Sequence, residues 1–323
     1  MSWLTLYFSA FTPVVWWEIR EFFYIFAKYN EPRSKDYYAL APQCVNGARY
    51  YLSMKKGKIL FISQEISPYL PSSPTADLGR LIPQSMHERG YEVRTFMPRY
   101  GMVNERRNQL HEVIRLSGMN LVINDGDHPL IIKVASLLPS RMQVYFIDSE
   151  DYFHKNSKVK ETEAFAEDND ERTIFFTRGV LETVKRLRWE PMLVQCSGWI
   201  SSLVSLYVRN KMSDDPSFRN VKIIYSLMND RFEGTFDSQF VDKLLADGFA
   251  EELLSSLKGR GVDHHALAKF GMETADAIVV GEPEVSEELV ELARNSGKPL
   301  LLLPELEDLA EACDAFYSSL LEQ

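Results

Sequence analysis

The sequence predicts an α/β fold, with a single doubly wound, Rossmann-like domain over residues 54–323. From Lys58 onward, short apolar runs alternate with segments that carry apolar residues at helical spacing. Several of the runs are apolar on both faces, which is typical of parallel strands covered by helices. Regular alternation of strands and helices implies right-handed crossovers and one twisted, mostly parallel sheet.

The pattern places each element along the chain. The predicted strands are 59–63, 92–97, 130–137, 143–147, 192–196, 221–226, 277–280 and 300–303. The predicted helices are 77–89, 171–188, 199–211, 240–257, 264–274, 284–295 and 306–321. Segment 116–138 predicts a β-hairpin that turns at Asn124-Asp125-Gly126, and the charged segment 157–170 predicts a mobile surface loop.

Composition narrows the range of functions. The 323 residues carry a formal net charge of −10, which disfavours general binding to nucleic acid or to anionic lipid. The three cysteines, Cys44, Cys196 and Cys313, are far apart and form no CxxC pair. They predict reduced thiols in a cytoplasmic protein, and no residue set predicts a metal site or a cofactor.

The N-terminal segment 1–53 differs from the rest because it holds fifteen aromatic residues. Its apolar stretch 3–17 is shorter than the roughly 20 residues that span a membrane, and Pro13 interrupts it. We interpret Met54 as the natural start and 1–53 as an upstream extension without a fold of its own. A peripheral membrane anchor is the alternative.

Ligands of doubly wound sheets bind beyond the carboxyl ends of the strands. The corresponding segments here are 64–75, 195–199, 228–234 and 281–285. These four segments are called the strand-end segments below.

Several motifs resemble one family when they are taken in order. They are 58–68 (KILFISQEISP), 88–94 (ERGYEVR), 97–101 (MPRYG), 144–148 (VYFID), 170–172 (DER), 269–271 (KFG) and 275–280 (ADAIVV). Together they resemble glycosyltransferase family 5, the bacterial glycogen synthases and plant starch synthases. The resemblance implies the N-terminal half of a GT-B fold, in which two Rossmann-like domains face each other across the active site. It also implies metal-free, retaining transfer of glucose from a nucleotide sugar, usually ADP-glucose, to an α-1,4-glucan.

The chain departs from this family at the residues that carry its chemistry. The family's Lys-x-Gly-Gly loop corresponds to 71–74, Pro-Ser-Ser-Pro, which has no cation and two fewer backbone N–H donors. The family's His-x-His-Asp-Trp motif corresponds to 195–199, where only Trp199 matches, and Met228 stands at a family histidine. About forty residues follow Val280, and we expect them to close one domain rather than begin another. Nucleotide-sugar binding is therefore doubtful.

The resemblance and the strand ends together give a candidate substrate site, for which no catalytic residue is named. Its members are Glu65, Ser72, Ser73, Asp77, Tyr100, Trp199, Asn229 and Glu233. Aromatic faces beside polar groups suit sugar rings. The alternatives are that Trp199 is a core residue at a helix start, that Asp77 caps its helix, and that Glu65 and Glu233 are structural or surface carboxylates rather than an acid–base pair.

The sequence therefore predicts a glycogen or starch synthase-like protein that is non-catalytic on its own. It would act by binding α-glucan or as a partner subunit of a separate synthase chain. The alternative is a repurposed Rossmann domain that binds a neutral small molecule. Seven polar residues predicted to line its pocket are neutral apart from Glu65; they are Gln64, Glu65, Ser72, Ser73, Gln195, Ser197 and Asn229.

Overall fold

The computed structural model describes residues 56–154, 167–259, 261–304 and 306–322. The proposed extension 1–53 and residues 157–166 of the predicted loop lie outside these ranges. The last residues of that loop begin a helix instead.

The strands and helices follow the predicted order. The strands are β1 Lys58–Ser63, β2 Glu92–Pro98, β3 His111–Glu112, β4 Met119–Ile123, β5 Gly126–Leu137, β6 Met142–Asp148, β7 Leu193–Ser197, β8 Lys222–Leu227, β9 Ala277–Val280 and β10 Leu300–Leu302. The helices are α1 Pro74–Glu88, α2 Glu105–Asn108, α3 Glu150–Phe153, α4 Asn169–Leu187, α5 Val204–Lys211, α6 Phe240–Ala246, α7 His264–Thr274, α8 Glu287–Asn295 and α9 Leu309–Leu321. Residues of two further segments form 3₁₀ helices, Trp199–Ser201 and Glu251–Leu257.

One sheet organises the domain, with strand order β10-β9-β8-β7-β1-β2-β6-β5-β3. The chain leaves β1 on one side through β2 and β6, then returns to β7 and continues outward through β8, β9 and β10; all these neighbours pair in parallel. The order therefore reverses between β1 and β7, which confirms the doubly wound α/β prediction. Ser63 and Ser197 are paired at the carboxyl ends of these two strands, so ligands of this fold bind next to them.

The predicted hairpin is confirmed as an antiparallel insertion. β4 pairs with β5, and Ile123 opposite Gly126 leaves Asn124 and Asp125 as a two-residue turn. Both turn residues have positive φ, of 48° and 64°, as a type I′ turn requires. β5 begins at Gly126 rather than at residue 130, because its first residues pair with β4 before the strand joins β6.

Several helix boundaries differ from the predictions, and three predicted helices show the differences most clearly. The predicted helix 240–257 is broken by Gly248, which has a φ of +84°, into α6 and a 3₁₀ segment. The predicted helix 284–295 begins at Glu287, because the Ser286 side chain accepts a hydrogen bond from the Leu289 N–H. The predicted helix 199–211 divides into the 3₁₀ turn Trp199–Ser201 and α5.

Helix α9 packs back onto the first strand–helix–strand unit. The Asp314 carboxylate accepts hydrogen bonds from Lys56 Nζ at 2.8 Å, from Tyr91 OH at 2.8 Å and from Arg89 at 3.3 Å. Deeper in the same helix, the Tyr317 hydroxyl donates to the buried Gln195 side chain. The last helix is therefore held at both the amino edge and the interior of the sheet.

Candidate functional site

The first turn of α1 lies at the carboxyl edge of the sheet and is capped by Ser73. The Ser73 Oγ accepts a hydrogen bond from the Ala76 N–H at 3.0 Å, and its hydroxyl donates to Glu65 Oε2, also at 3.0 Å. Pro74 follows at the first helical position, where its missing N–H removes no hydrogen bond from the helix. Ser73 and Pro74 thus serve to start the helix, and Ser73 holds the carboxylate of Glu65 against it.

A second carboxylate reaches the same turn from the far side of the sequence. The Thr75 hydroxyl donates to Glu282 Oε1 at 2.5 Å, and both side chains are buried. The Asn229 backbone N–H also donates to Glu282. The hydroxyls of Ser73 and Thr75 thus bring two carboxylates, Glu65 and Glu282, to the first turn of α1, where the helix N-terminus favours negative charge.

The buried position of Glu282 has a measurable consequence, since burial raises the pKa of its carboxyl. Such a group binds more protons in the folded than in the unfolded protein, so its contribution to stability falls as pH rises from its unfolded pKa through its folded pKa. Replacing Glu282 with Gln, which carries no charge, is therefore expected to raise stability more at pH 7.5 than at pH 4.5. Urea unfolding midpoints of both proteins at the two pH values measure the difference.

An equal loss of stability at both pH values would contradict this expectation. It would show that folding leaves the pKa of Glu282 unchanged, because its hydrogen bonds offset the cost of burial. Thr75→Val separates the two contributions, because it removes a donor to Glu282 without changing the carboxyl itself.

On the other side of the carboxyl edge of the sheet, Asp230 links two segments of the chain through hydrogen bonds. Its Oδ2 accepts the Trp199 backbone N–H at 2.7 Å, and its Oδ1 lies 3.0 Å from His264 Nε2. The turn it holds begins at Gly198, which has a φ of +89°. A Cβ at this glycine would lie 2.8 Å from Gln64 Cβ, and the positive φ is strained for any residue with a side chain, so glycine is favoured here.

The two aromatic members of the predicted site lie in the core. Trp199 is 2% exposed and packs against the rings of Phe232 and Phe236, at centroid distances of 5.0 and 5.9 Å. Tyr100 is equally buried and meets Phe153 edge-on at 5.9 Å. Neither ring presents an open face to a sugar, and the alternative interpretation of Trp199 as a core residue fits this position.

The polar members divide into two groups. Glu65 and Ser73 are joined at the start of α1, whereas Asn229 and Glu233 are exposed on the loop after β8. Asp77 does not cap α1, because Ser73 does; it accepts a 2.6 Å hydrogen bond from Ser72 instead. The binding role of these residues remains a prediction.

Sequence reasoning missed Thr75, Asp230, His264 and Glu282. Thr75, Asp230 and Glu282 all lie in strand-end segments, so their position was a usable signal. The pairing of these residues depends on partners far away in the chain: 207 residues separate Thr75 from Glu282, and 34 separate His264 from Asp230.

The strand-end segments are strongly acidic. Their one cationic side chain is Arg231, and their carboxylates are Glu65, Asp230, Glu233, Glu282 and Glu284. No group of three or more potential metal ligands occurs among the described residues. Nor does this part of the chain contain a helix long and apolar enough to cross a membrane.

The reversed strand order and the polar carboxyl edge define a doubly wound, Rossmann-like class of domain that binds ligands at the carboxyl ends of its strands. The family model for the starch synthase catalytic domain matches residues 58–300. The chain therefore belongs to the starch synthase catalytic domain family, as its motifs predict.

Similar proteins agree with this assignment. The glycogen synthase of Chlorobium phaeovibrioides is 35% identical over 247 residues, which are 76% of this chain and 50% of that protein. The glycogen synthase of Chlorobium luteolum is 32% identical over 243 residues, 74% of this chain and 48% of that protein. The chain thus spans about half the length of the curated relatives it matches.

A solved structure supports the fold. The catalytic domain of starch synthase IV from Arabidopsis thaliana, bound to ADP and acarbose, matches with a TM-score of 0.57 and 14% identity. The match covers 69% of this chain and 44% of that one. At this identity the likeness concerns the fold alone.

Proposed function

We propose that this starch synthase-type domain does not transfer glucose on its own, and that it acts in the cytoplasm as an α-glucan-binding protein or a partner subunit of a synthase. The observation that carries the proposal is the presence of two carboxylates at the first turn of α1. Ser73 donates a hydrogen bond to Glu65, and Thr75 donates one to Glu282. Carboxylates beside this helix start disfavour the binding of donor phosphates, which transfer would require to be stabilised by N–H donors and cations.

The negative charge of the strand-end segments also supports the proposal that the domain does not transfer glucose on its own. Transfer from a nucleotide sugar requires that the departing diphosphate be stabilised by cations and N–H donors. The strand-end segments supply one arginine and five carboxylates. Like charges at close range oppose binding of the diphosphate, since two unit charges 4 Å apart interact by about 4 kcal/mol near a protein surface.

Two further features support the proposal. Met228 is buried at the edge, and a Cβ at Gly281 would lie 2.5 Å from its sulfur, so the thioether fills space beside the strand ends without offering a strong donor. The free, buried thiols Cys196 and Cys313 fit a reducing compartment such as the cytoplasm.

Native electrophoresis of the full chain, in gels with and without glycogen, tests the glucan-binding role. If the predicted edge binds glucan, glycogen will retard the wild-type protein and the double variant Asn229→Ala, Glu233→Ala will lose that retardation. Both residues are exposed, so the variant keeps its core. Glu311→Ala, an exposed change on α9, is the matched control and should migrate like the wild type.

The outcomes separate the parts of the proposal. If glycogen does not change the mobility of the wild-type protein, the glucan-binding role is wrong and the partner-subunit role remains. If the chain alone transfers labelled glucose from ADP-glucose to glycogen, the non-catalytic role is wrong. Calorimetric titration with ADP is expected to show no binding at millimolar concentration.

A further inference from the structure

A cleft of about 450 Å³ opens beside α1, between that helix and the segments that follow β9 and β10. Its apolar walls are formed by Pro74, Leu78, Leu81, Leu303, Pro304 and Leu306. These six residues lie outside the candidate substrate site, which the cleft adjoins through Asp77 and Glu282.

The rim of the cleft carries an exposed apolar side chain. Leu306, which lines the cleft, is 66% exposed. Single exposed leucines are common in folded proteins. Here the exposed leucine stands beside the apolar walls of a cleft, which is the arrangement of an interaction surface.

The charges around the cleft specify what could bind. Arg80 is the one cation among the residues that line it, and Asp77 and Glu282 are its acids. The segments that form its walls continue into exposed carboxylates, which are Glu284, Glu307 and Asp308. The rim is therefore mainly negative, and its complement is a partner with basic side chains beside an apolar face.

We propose that this cleft docks a basic amphipathic helix of another protein. The apolar face of the helix would enter between Leu78, Leu81 and Leu306, and its lysine or arginine side chains would meet the carboxylates of the rim. This is the helix-in-groove mode of recognition, in which apolar residues at helical spacing anchor the helix. The proposal rests on the partner-subunit role proposed above and names the surface that would serve it.

Fluorescence anisotropy of the full chain with a model peptide tests the proposal without glycogen or nucleotide. The probe is a fluorescein-labelled peptide of about 18 residues, long enough to form a helix, with leucines on one face and lysines on the other. We expect micromolar binding that Leu306→Ser weakens about tenfold, the effect of losing one buried leucine contact. Because serine is uncharged, any general attraction to the acidic protein stays constant.

The matched control is Ile114→Ser, since Ile114 is 83% exposed and does not line the cleft. This variant should bind the peptide like the wild type, and a leucine–glutamate peptide of the same pattern should not bind. Equal affinity of the wild type and Leu306→Ser for the leucine–lysine peptide, or equal binding of both peptides, overturns the proposal. Neither result depends on whether the chain binds glycogen or transfers glucose.

Discussion

Replacing Lys243 with Met is expected to lower the free energy of unfolding by about 3–5 kcal/mol, because it leaves a buried carboxylate without its cation. The Lys243 ammonium lies 2.6 Å from Asp170 Oδ2 and 2.8 Å from Glu171 Oε1. The Asp170 side chain is fully buried. Burial raises the pKa of Asp170, and Lys243 is the main group that opposes this shift. Methionine fills similar space but supplies no charge, so the desolvation of Asp170 is no longer offset.

Urea unfolding followed by circular dichroism at neutral pH measures the effect. Lys269→Met is the matched control, because Lys269 is exposed and lies 3.8 Å from Glu273 on the same helix, in a pair that solvent screens. Exposed pairs of this kind contribute a few tenths of a kcal/mol. Equal losses in the two variants would show that Asp170 is not held as an ion by Lys243. Asp170→Asn in the Lys243→Met background should then restore nothing.

The position of this ion cluster connects stability to the candidate site. Asp170 lies in the first turn of α4, the 19-residue helix that packs against the 3₁₀ turn at Trp199–Ser201. Lys243 comes from α6, so the cluster fixes α6 against the start of α4. Both helices begin near the carboxyl edge, and loss of the cluster is expected to loosen that edge first.

The fold was predictable because its signals are local and repeated. β1 was predicted as 59–63 and spans Lys58–Ser63, since a run that is buried on both faces must be apolar at every position. The hairpin was predictable because Asn124-Asp125-Gly126 tolerates the positive φ angles that the turn needs. Helix α1 began three residues earlier than predicted. A serine followed by proline is a usual helix start, whereas the resemblance predicts a lost phosphate loop at Ser73 and Pro74 and a substrate-binding role for Ser73.

The site was less predictable because its geometry depends on tertiary contacts. Trp199 and Tyr100 have the ring types of a sugar-binding platform, yet their burial is set by neighbours such as Phe232 and Phe153, which residue type does not reveal. Glu282 lies in a strand-end segment, but its importance comes from Thr75, 207 residues earlier. Sequence pattern gives the edge of the sheet at which a ligand binds, and the packing decides which side chains reach it.

Gly79→Ala is the second substitution with a large expected effect, a loss of about 3 kcal/mol in the free energy of unfolding. A Cβ on Gly79 would lie 2.2 Å from the backbone oxygen of Glu65, and a backbone atom cannot move aside as a side chain can. This close approach brings α1 near enough for Ser73 to bond the Glu65 carboxylate. The added methyl group should therefore push the helix away from Glu65 and weaken that contact.

A loss of stability in Gly79→Ala would distinguish the close contact from helix propensity, because propensity alone favours alanine over glycine by about 1 kcal/mol. Gly179→Ala on α4 is the matched control, since a Cβ there would meet only side-chain methyl groups of Ile147 and Leu130, at 3.0 and 3.1 Å. These groups can yield, so the control should change stability by less than about 1 kcal/mol. Thermal and urea unfolding of both variants measure the difference. A stabilised Gly79→Ala protein would mean that α1 can shift freely at the strand ends, and that the contact between Ser73 and Glu65 does not fix the edge of the sheet.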